Sequence, residues 1–234
     1  MNKLFDKEIS LDKGNHEYRL SSQPDIEFIS VTTFVNQYFE GFDSEKIAAK
    51  LVKNVPKYFD HTVESLIAEW DAARQHGTDV HQEIEDWIND SVEPKEPKAI
   101  AGKNWLNSYR MKTDMDILSE VIVYSKELRI AGTVDILAKD RVTGEYELID
   151  WKTSKRIDTV SFKGKVGTSP VTRNVQDCNF NHYALQLSLY RYLLEEYYGI
   201  IVNKLLIAQL QDDRAHGYVA PYMRDHIIEM LKNK

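Results

Sequence analysis

The chain has 234 residues, of which 42% are hydrophobic, so it is long enough for one domain with a sizeable core, or one domain with a helical attachment. Its formal net charge of −7 argues against a general nucleic-acid-binding protein, because such proteins present a basic surface to phosphates. The single cysteine, Cys178, excludes an intramolecular disulfide framework and a cysteine-ligated zinc or iron–sulfur site.

The first half of the chain carries mainly helical patterns. Residues 1–28 show little periodicity, and we expect a short strand or an irregular arm there. Apolar residues then recur at helical spacing, interrupted by the proline-containing segment 92–97. Helices are predicted to open within 29–34, to start again at residue 44, and to run from about 62 to 87 and from about 100 to 111.

The second half changes to strand patterns and then alternates. Strands are predicted over 119–124, 130–138 and 146–152, where apolar residues alternate or run continuously. A long helix over about 181–198 follows, ended by Gly199 in the usual position for a left-handed residue. The chain then offers a strand within 200–210 and a final helix over 222–232.

Charged residues interrupt two of the predicted strands. Asp135 lies in one, and Asp150 and Lys152 lie in the next, where a charge is costly unless it is paired or binds metal. Strand alternation points Asp150 and Lys152 the same way and sends Trp151 to the opposite face, into the core. If the two strands form a hairpin, Asp135 falls beside Asp150. Two oxygen ligands with an adjacent ammonium suit metal-assisted attack of water on a phosphodiester.

These segments resemble the PD-(D/E)XK nuclease superfamily, in particular its RecB-like exonuclease branch. The resemblance is carried by Gly-Thr-Val-Asp at 132–135 and Ile-Asp-Trp-Lys at 149–152. The segment 77–81 looks like the Gly-x-x-x-His segment of that branch, and 186–190 looks like its Gln-x-x-x-Tyr helix. The order and spacing are similar to those of phage exonucleases and of mitochondrial genome maintenance exonucleases.

The resemblance implies a fold and a domain organisation. The expected fold is α/β (α+β), with a restriction-endonuclease-like αβββαβ core and a helical N-terminal region. We place the nuclease core at 113–234 and the mainly helical region, which carries the Gly-x-x-x-His segment, at 1–112. The two parts are expected to pack together as one compact domain.

The resemblance also implies roles at the centre. Asp135, Asp150 and the backbone carbonyl of Trp151 would hold Mg²⁺ or Mn²⁺, with His81 at the edge of the metal site. Lys152 would orient the attacking water or stabilise the developing phosphorane charge, for which a compact ammonium is suited. A structural ion pair between Asp150 and Lys152 is the alternative.

Four further side chains are candidates. Glu120 begins the preceding strand and loosely matches an acidic position of the superfamily that binds metal or water. Glu85 lies one turn after His81, so it would either orient the imidazole or be a solvated glutamate. Gln186 and Tyr190 share one helix face and are implied to contact the DNA or the catalytic strand. Ordinary amphipathic packing is the alternative for this pair.

The segment 151–173 is strongly basic, with Asp158 as its single acid. Because it follows the catalytic strand directly, we interpret it as a phosphate-contacting, DNA-binding loop; a solvated surface loop is the alternative. Its basic residues after Lys152 are Lys155, Arg156, Lys163, Lys165 and Arg173.

The predicted function is a metal-dependent deoxyribonuclease. We expect an exonuclease that acts from DNA ends, favours single strands, and serves replication, recombination or repair. A structure-specific or restriction-type endonuclease and a non-catalytic DNA-binding recombination partner are the alternatives. No apolar run is long enough for a membrane span and no signal-peptide pattern is present, so a cytoplasmic location is expected, in the host if the chain is phage-encoded.

Overall fold

The computed structural model describes residues 3–112 and 114–234, which form a mixed sheet flanked by helices on both faces. The strands are β1 Ile9–Asp12, β2 Glu17–Leu20, β3 Ile29–Ser30, β4 Met115–Ser125, β5 Ile130–Asp140, β6 Tyr146–Lys152, β7 Val202–Leu210 and β8 Ala215–Ala220. The helices are α1 Val31–Asn36, α2 Ser44–Asn54, α3 Val63–Asp90, α4 Pro97–Lys112, α5 Asn179–Tyr198 and α6 Arg224–Lys232. The predicted α+β fold class is confirmed.

The sheet is built around a three-stranded meander. Strands β4, β5 and β6 pair antiparallel in sequence order, and α5 then connects β6 to β7, which pairs parallel with β6. Strand β8 pairs antiparallel with β7, and the two-residue β3 pairs parallel with the start of β5. The order from α4 to β7 is therefore one helix, three strands, one helix and one strand, as expected.

The alternation of β6 divides its residues between two cores. Leu148 packs in the cluster that includes the apolar face of α5, whereas Ile149 and Trp151 pack in the cluster covered by α3 and α4. Trp151 is therefore a core residue, as the alternation predicted. Asp150 and Lys152 lie on the other face of the strand and turn toward α5.

The N-terminal residues take part in the sheet and its core. Strand β3 extends the sheet, and Val31 and Phe34 of α1 are fully buried with α5. Helices α3 and α4 cover the other face of the sheet. Residues 1, 2 and 113, where the predicted regions begin, lie outside the described residues.

Several predicted boundaries follow from caps that the sequence shows. The Ser30 hydroxyl accepts a hydrogen bond from Thr33 N–H and begins α1, and Thr62 caps α3 in the same way. Gly199 ends α5 with a φ of 65°. The antiparallel hairpin of β1 and β2 and the edge strand β8 were not predicted as such.

Within residues 3–112 and 114–234, none of the helices combines the length and the apolarity that a membrane crossing requires.

A close approach of helices to β5 requires glycine at position 132. A Cβ at Gly132 would stand 2.6 Å from Cε1 of Tyr190 and 2.9 Å from Cγ2 of Val31. Such distances are well inside van der Waals contact, and the ring of Tyr190 is buried and has little room to move.

Gly132→Ala should therefore destabilise the fold by about 1–3 kcal/mol, the usual cost of overpacking a core. Denaturant unfolding of the variant measures this loss. Gly41→Ala is the matched control, because a Cβ at Gly41 would meet no atom within 4 Å. Equal stability of the two variants would contradict the packing argument.

Candidate active site

A cleft of about 450 Å³ lies where β5 changes its partner strand. One edge of β5 pairs with β3 at Ala131 and with β6 from Ile136 onward. The residues between these points are paired with neither strand on this edge, and Gly132, Thr133 and Asp135 line the cleft there. The change of partner thus provides a concave site at the centre of the sheet.

Three predicted metal ligands meet in this cleft. One ligand atom from each of His81, Glu120 and Asp135 lies within 4.8 Å of the others. Nδ1 of His81 is 3.7 Å from Oδ2 of Asp135. The backbone N–H of Trp151 donates to that same Asp135 oxygen at 2.7 Å, which fixes the carboxylate beside β6. The sequence prediction that Asp135 falls beside the Asp150 segment is confirmed.

The backbone of β4 is distorted at Glu120. The pairing of β4 with β5 joins Ser119 to Ile136 and Val121 to Val134, and Glu120 stands between these pairs with a φ of 49°. A left-handed conformation costs a residue with a side chain about 1–2 kcal/mol. Such strain is typical of functional sites. Here it accompanies a carboxylate that lines the cleft.

Asp150 and Lys152 form a buried ion pair beside the cluster. Nζ of Lys152 is 2.6 Å from Oδ2 of Asp150, and Nε2 of Gln186 donates to Oδ1 of Asp150 at 3.3 Å. The ammonium also lies 4.7 Å from the ring centroid of Tyr183. Lys152 lines the cleft, so the ammonium of this pair is accessible from it.

Crowding raises the proton affinity of the carboxyl groups. Burial, with repulsion from Asp135, raises the pKa of Glu120 to about 8. Burial raises the pKa of Asp150 to about 6 despite the nearby ammonium, and burial also raises the pKa of Asp135. Groups of like charge held this close favour a bound cation, which would offset their repulsion.

The protonation states of His81 and Lys152 are compatible with a metal site. Burial, reinforced by Lys152, lowers the pKa of His81 to about 4, so its imidazole is neutral at neutral pH and has a lone pair for a metal. Burial would lower the pKa of Lys152, but Asp150 and Asp135 outweigh it and raise that pKa. Lys152 therefore remains a cation at neutral pH.

The donor set fits a hard divalent ion. Carboxylate oxygens with one imidazole suit Mg²⁺ or Mn²⁺. The three-residue cluster joins Glu120 to His81 and Asp135, whereas the oxygens of Asp150, a further predicted ligand, contact Lys152 and Gln186. The backbone of Trp151 also lies at the site and hydrogen-bonds the His81 imidazole. This bond raises the pKa of His81, as expected when a backbone carbonyl accepts from the ring N–H.

Helix α5 supports the site from behind. Tyr190 is buried against Gly132 and hydrogen-bonds Gln186, which in turn bonds Asp150. Tyr190 therefore contacts β5 and Gln186 contacts β6. The burial of the Tyr190 ring favours this supporting role over contact with a DNA base.

Glu85 lines the cleft with partners of its own. Its Oε2 accepts from Nε2 of Gln82 at 3.0 Å and lies 3.5 Å from Nζ of Lys13. Among the described residues no hydrogen bond joins it to His81, whose imidazole is oriented by the backbone of Trp151. The expected orienting role of Glu85 is therefore not seen in this arrangement.

The predicted basic loop stands outside the cleft lining. Lys165 pairs with Glu40, and Arg156 pairs with Asp158 at 2.6 Å. Backbone hydrogen bonds, such as that from Thr168 N–H to the Tyr38 carbonyl at 3.0 Å, fix the loop against the end of α1. The cleft is lined by none of Lys155, Arg156, Lys163, Lys165 and Arg173.

Other cleft residues were missed by the sequence prediction. Lys13 and Tyr18 come from the β1–β2 hairpin, and the Tyr18 hydroxyl is 2.9 Å from Oγ1 of Thr133. Arg74 comes from α3. Its position seven residues before His81 puts it two turns away on the same helix face, so the spacing could have revealed it. The hairpin residues carry no comparable signal.

Comparisons with known proteins leave the family open. No family model matches the chain, and no curated protein matches it. Among solved structures, a similar chain is that of the crystal structure of SSO0001, with 14% identity and a TM-score of 0.40. The match covers 88% of this chain and 73% of that one, and a likeness this low supports no conclusion about function.

The geometry predicts that removing a carboxylate of the site and removing the ammonium of Lys152 have different effects on the affinity for metal. Asp135→Ala and Glu120→Ala should each weaken Mn²⁺ binding about 10-fold or more, since each removes an oxygen donor of the cluster. Asp150→Ala should also weaken it, because it removes a negative charge beside the cluster. Lys152→Ala should bind Mn²⁺ at least as tightly as the wild type, because it removes a neighbouring positive charge.

Calorimetric titration with Mn²⁺ measures these affinities. Asp79→Ala is the matched control, since Asp79 is an exposed carboxylate of α3 outside the cleft. A large loss of affinity in the Lys152 variant would refute its assignment as a group that does not bind the metal.

Proposed function

We propose that the chain is a divalent-metal-dependent deoxyribonuclease that hydrolyses phosphodiester bonds from DNA ends. The observation that carries this proposal is the convergence of Asp135 and Asp150 with Lys152 in one cleft, flanked by His81 and Glu120. A buried ammonium beside clustered carboxylates and a neutral imidazole suits the hydrolysis of a phosphate ester better than it suits a purely structural sheet.

Each side chain has a definite task in this chemistry. Asp135, Glu120 and His81 would hold the metal, with Asp150 beside them. When bound, the metal would polarise the scissile phosphate and lower the pKa of its bound water. Lys152, kept protonated by Asp150, would stabilise the negative charge that develops on phosphorus-bound oxygens.

Contacts across the cleft support a substrate with a free end. The β1–β2 hairpin reaches α3, where Nζ of Lys13 donates to Oε1 of Gln82 at 2.8 Å. Residues of the hairpin, including Tyr18, thus stand opposite residues of α3, including His81, with the cleft between them. A single strand entering from its end fits such a bounded space better than a duplex does.

A row of lysines supports a polyanionic substrate despite the net charge. Four lysines recur at helical spacing on the exposed side of α2 and the turn after it, opposite the buried Ala48. Within residues 3–112 and 114–234, no carboxylate lies within salt-bridge distance of them. We call these residues the lysine row: Lys46, Lys50, Lys53 and Lys57.

Digestion of end-labelled DNA tests the proposal. With Mg²⁺ or Mn²⁺, linear single-stranded DNA should be shortened progressively, and chelator should abolish the reaction because the buried carboxylates need their cation. A covalently closed circle of the same sequence should survive, since it has no end to enter the bounded cleft. Lys152→Ala is the inactive control. Digestion in excess chelator would overturn the metal mechanism, and rapid cutting of circles would move the assignment to an endonuclease.

Salt dependence of binding distinguishes two basic surfaces. Replacing the lysine row with glutamine should flatten the slope of log affinity against log salt by about 0.7 for each phosphate of single-stranded DNA that a lysine no longer neutralises. Equivalent replacement of Lys155, Arg156, Lys163 and Lys165 tests the loop that the sequence indicated. Thermal stability should change little in both variants, because exposed charges contribute little to folding. If the lysine-row variant keeps the wild-type slope, these lysines of α2 are solvated surface residues that do not contact DNA phosphates.

A further inference from the structure

One face of α3 continues beyond the cleft. His81, Gly77 and Arg74 line the cleft, and Trp70 stands one turn before Arg74 on the same side of the helix. His81 follows Trp70 by eleven positions, which span about 16 Å at the rise of an α-helix. A strand that follows this face away from the metal site would reach Trp70 after a few nucleotides.

An exposed aromatic pair stands at that point. The ring of Phe42 meets the ring of Trp70 edge-on, with centroids 5.4 Å apart and an angle of 64° between the planes. Phe42 is 66% exposed, and Trp70 is half-buried. The ring of Phe42 thus packs against the ring of Trp70 at the surface, and most of the Phe42 side chain remains open to solvent.

The position of Phe42 is fixed by its neighbours in the chain. Glu40 pairs with Lys165 of the basic loop, and the carboxylate of Asp43 caps α2 by accepting from the N–H of Lys46 at 3.0 Å. The connection between α1 and α2 is thereby held at both ends. Lys46, four residues after Phe42, is also the first residue of the lysine row.

We propose that Phe42 and Trp70 form a stacking site for one base of a single DNA strand whose scissile phosphate lies at the metal site. Arg74, between this aromatic pair and His81, contacts a phosphate of the same strand. The inference rests on the proposed function and adds the path of the substrate. Stacking suits an enzyme that acts at ends regardless of sequence, because every base offers a flat aromatic face.

The charges along the path agree with this occupant. Arg74 is largely exposed and pairs with Asp71 at 3.1 Å on its own helix, an arrangement that a phosphate can replace at little cost. Arg74 follows Trp70 by one helical turn, and Lys46 follows Phe42 by four residues, so each ring of the pair has a cation near it in the chain. A negatively charged chain with flat bases matches this alternation of cation, aromatic pair and cation.

The test is equilibrium binding of fluorescent single-stranded oligothymidylate in Ca²⁺, which allows binding with little cleavage. Phe42→Ala should weaken binding by about 5-fold to 100-fold, the effect of removing one base–aromatic stack. Phe59→Ala is the matched control, since Phe59 is a similarly exposed phenylalanine, at 58%, just before α3. Phe42→Trp should retain the affinity of the wild type, and Arg74→Gln should flatten the salt slope by about 0.7.

A spectroscopic measurement locates the contact. A single aminopurine base, placed at successive positions of the strand, should be quenched at one position a few nucleotides from the scissile bond. That quenching should disappear in Phe42→Ala and persist in Phe59→Ala. A melting temperature of Phe42→Ala close to that of Phe59→Ala separates a binding role from a packing role.

The outcomes separate this inference from the proposed function. Equal DNA affinity and equal quenching in the Phe42 and Phe59 variants would overturn the stacking site even if the wild type digests DNA. A wild type that binds single strands with the predicted quenching but fails to digest them in Mg²⁺ or Mn²⁺ would overturn the nuclease and retain the stacking site. No binding of single-stranded DNA by the wild type would overturn both.

Discussion

The hydrogen bond from the Trp151 backbone N–H to the Asp135 carboxylate is the contact on which the site depends. It joins β5 to β6 at the point where their ladder ends and the cleft begins. Because Trp151 is buried between the sheet and the helices α3 and α4, its backbone cannot move away from Asp135. The fold thus holds one carboxylate rigidly, and the opposing groups of the cluster, His81 and Glu120, are positioned around it.

The carboxyl groups of the site repel one another, and the surrounding structure holds them close together despite this repulsion. Glu120 adopts a left-handed backbone conformation, and the carboxyl groups beside it are buried close to one another. Packing of Tyr190 against Gly132, and the bonds from Tyr190 through Gln186 to Asp150, hold these groups in place. Lys152 supplies one compensating charge. A divalent cation would supply the rest, so the same strain that costs stability prepares the site for metal.

An acidic protein can bind a polyanion when its charges are separated in space. Three carboxylates, those of Glu85, Glu120 and Asp135, line the cleft, where a metal would offset negative charge. The lysine row stands free of salt bridges on the outer side of α2 within the described residues, whereas two cations of the predicted basic loop are paired, Lys165 with Glu40 and Arg156 with Asp158. Net charge alone therefore says little about the partner of this protein.

The sequence by itself determined the strands of the meander, the approximate start of α3 near Thr62 and the end of α5 at Gly199, and the adjacency of Asp135 to the Asp150 segment. These features depend on local periodicity and on the register of neighbouring strands, which short stretches of sequence encode. Tertiary structure alone decided that Glu120 stands within ligand distance of His81 and Asp135, that Tyr190 is buried, and that the hairpin residue Lys13 reaches the cleft. Such outcomes follow from packing between segments far apart in the chain, and no local pattern records which distant side chain fills a given space.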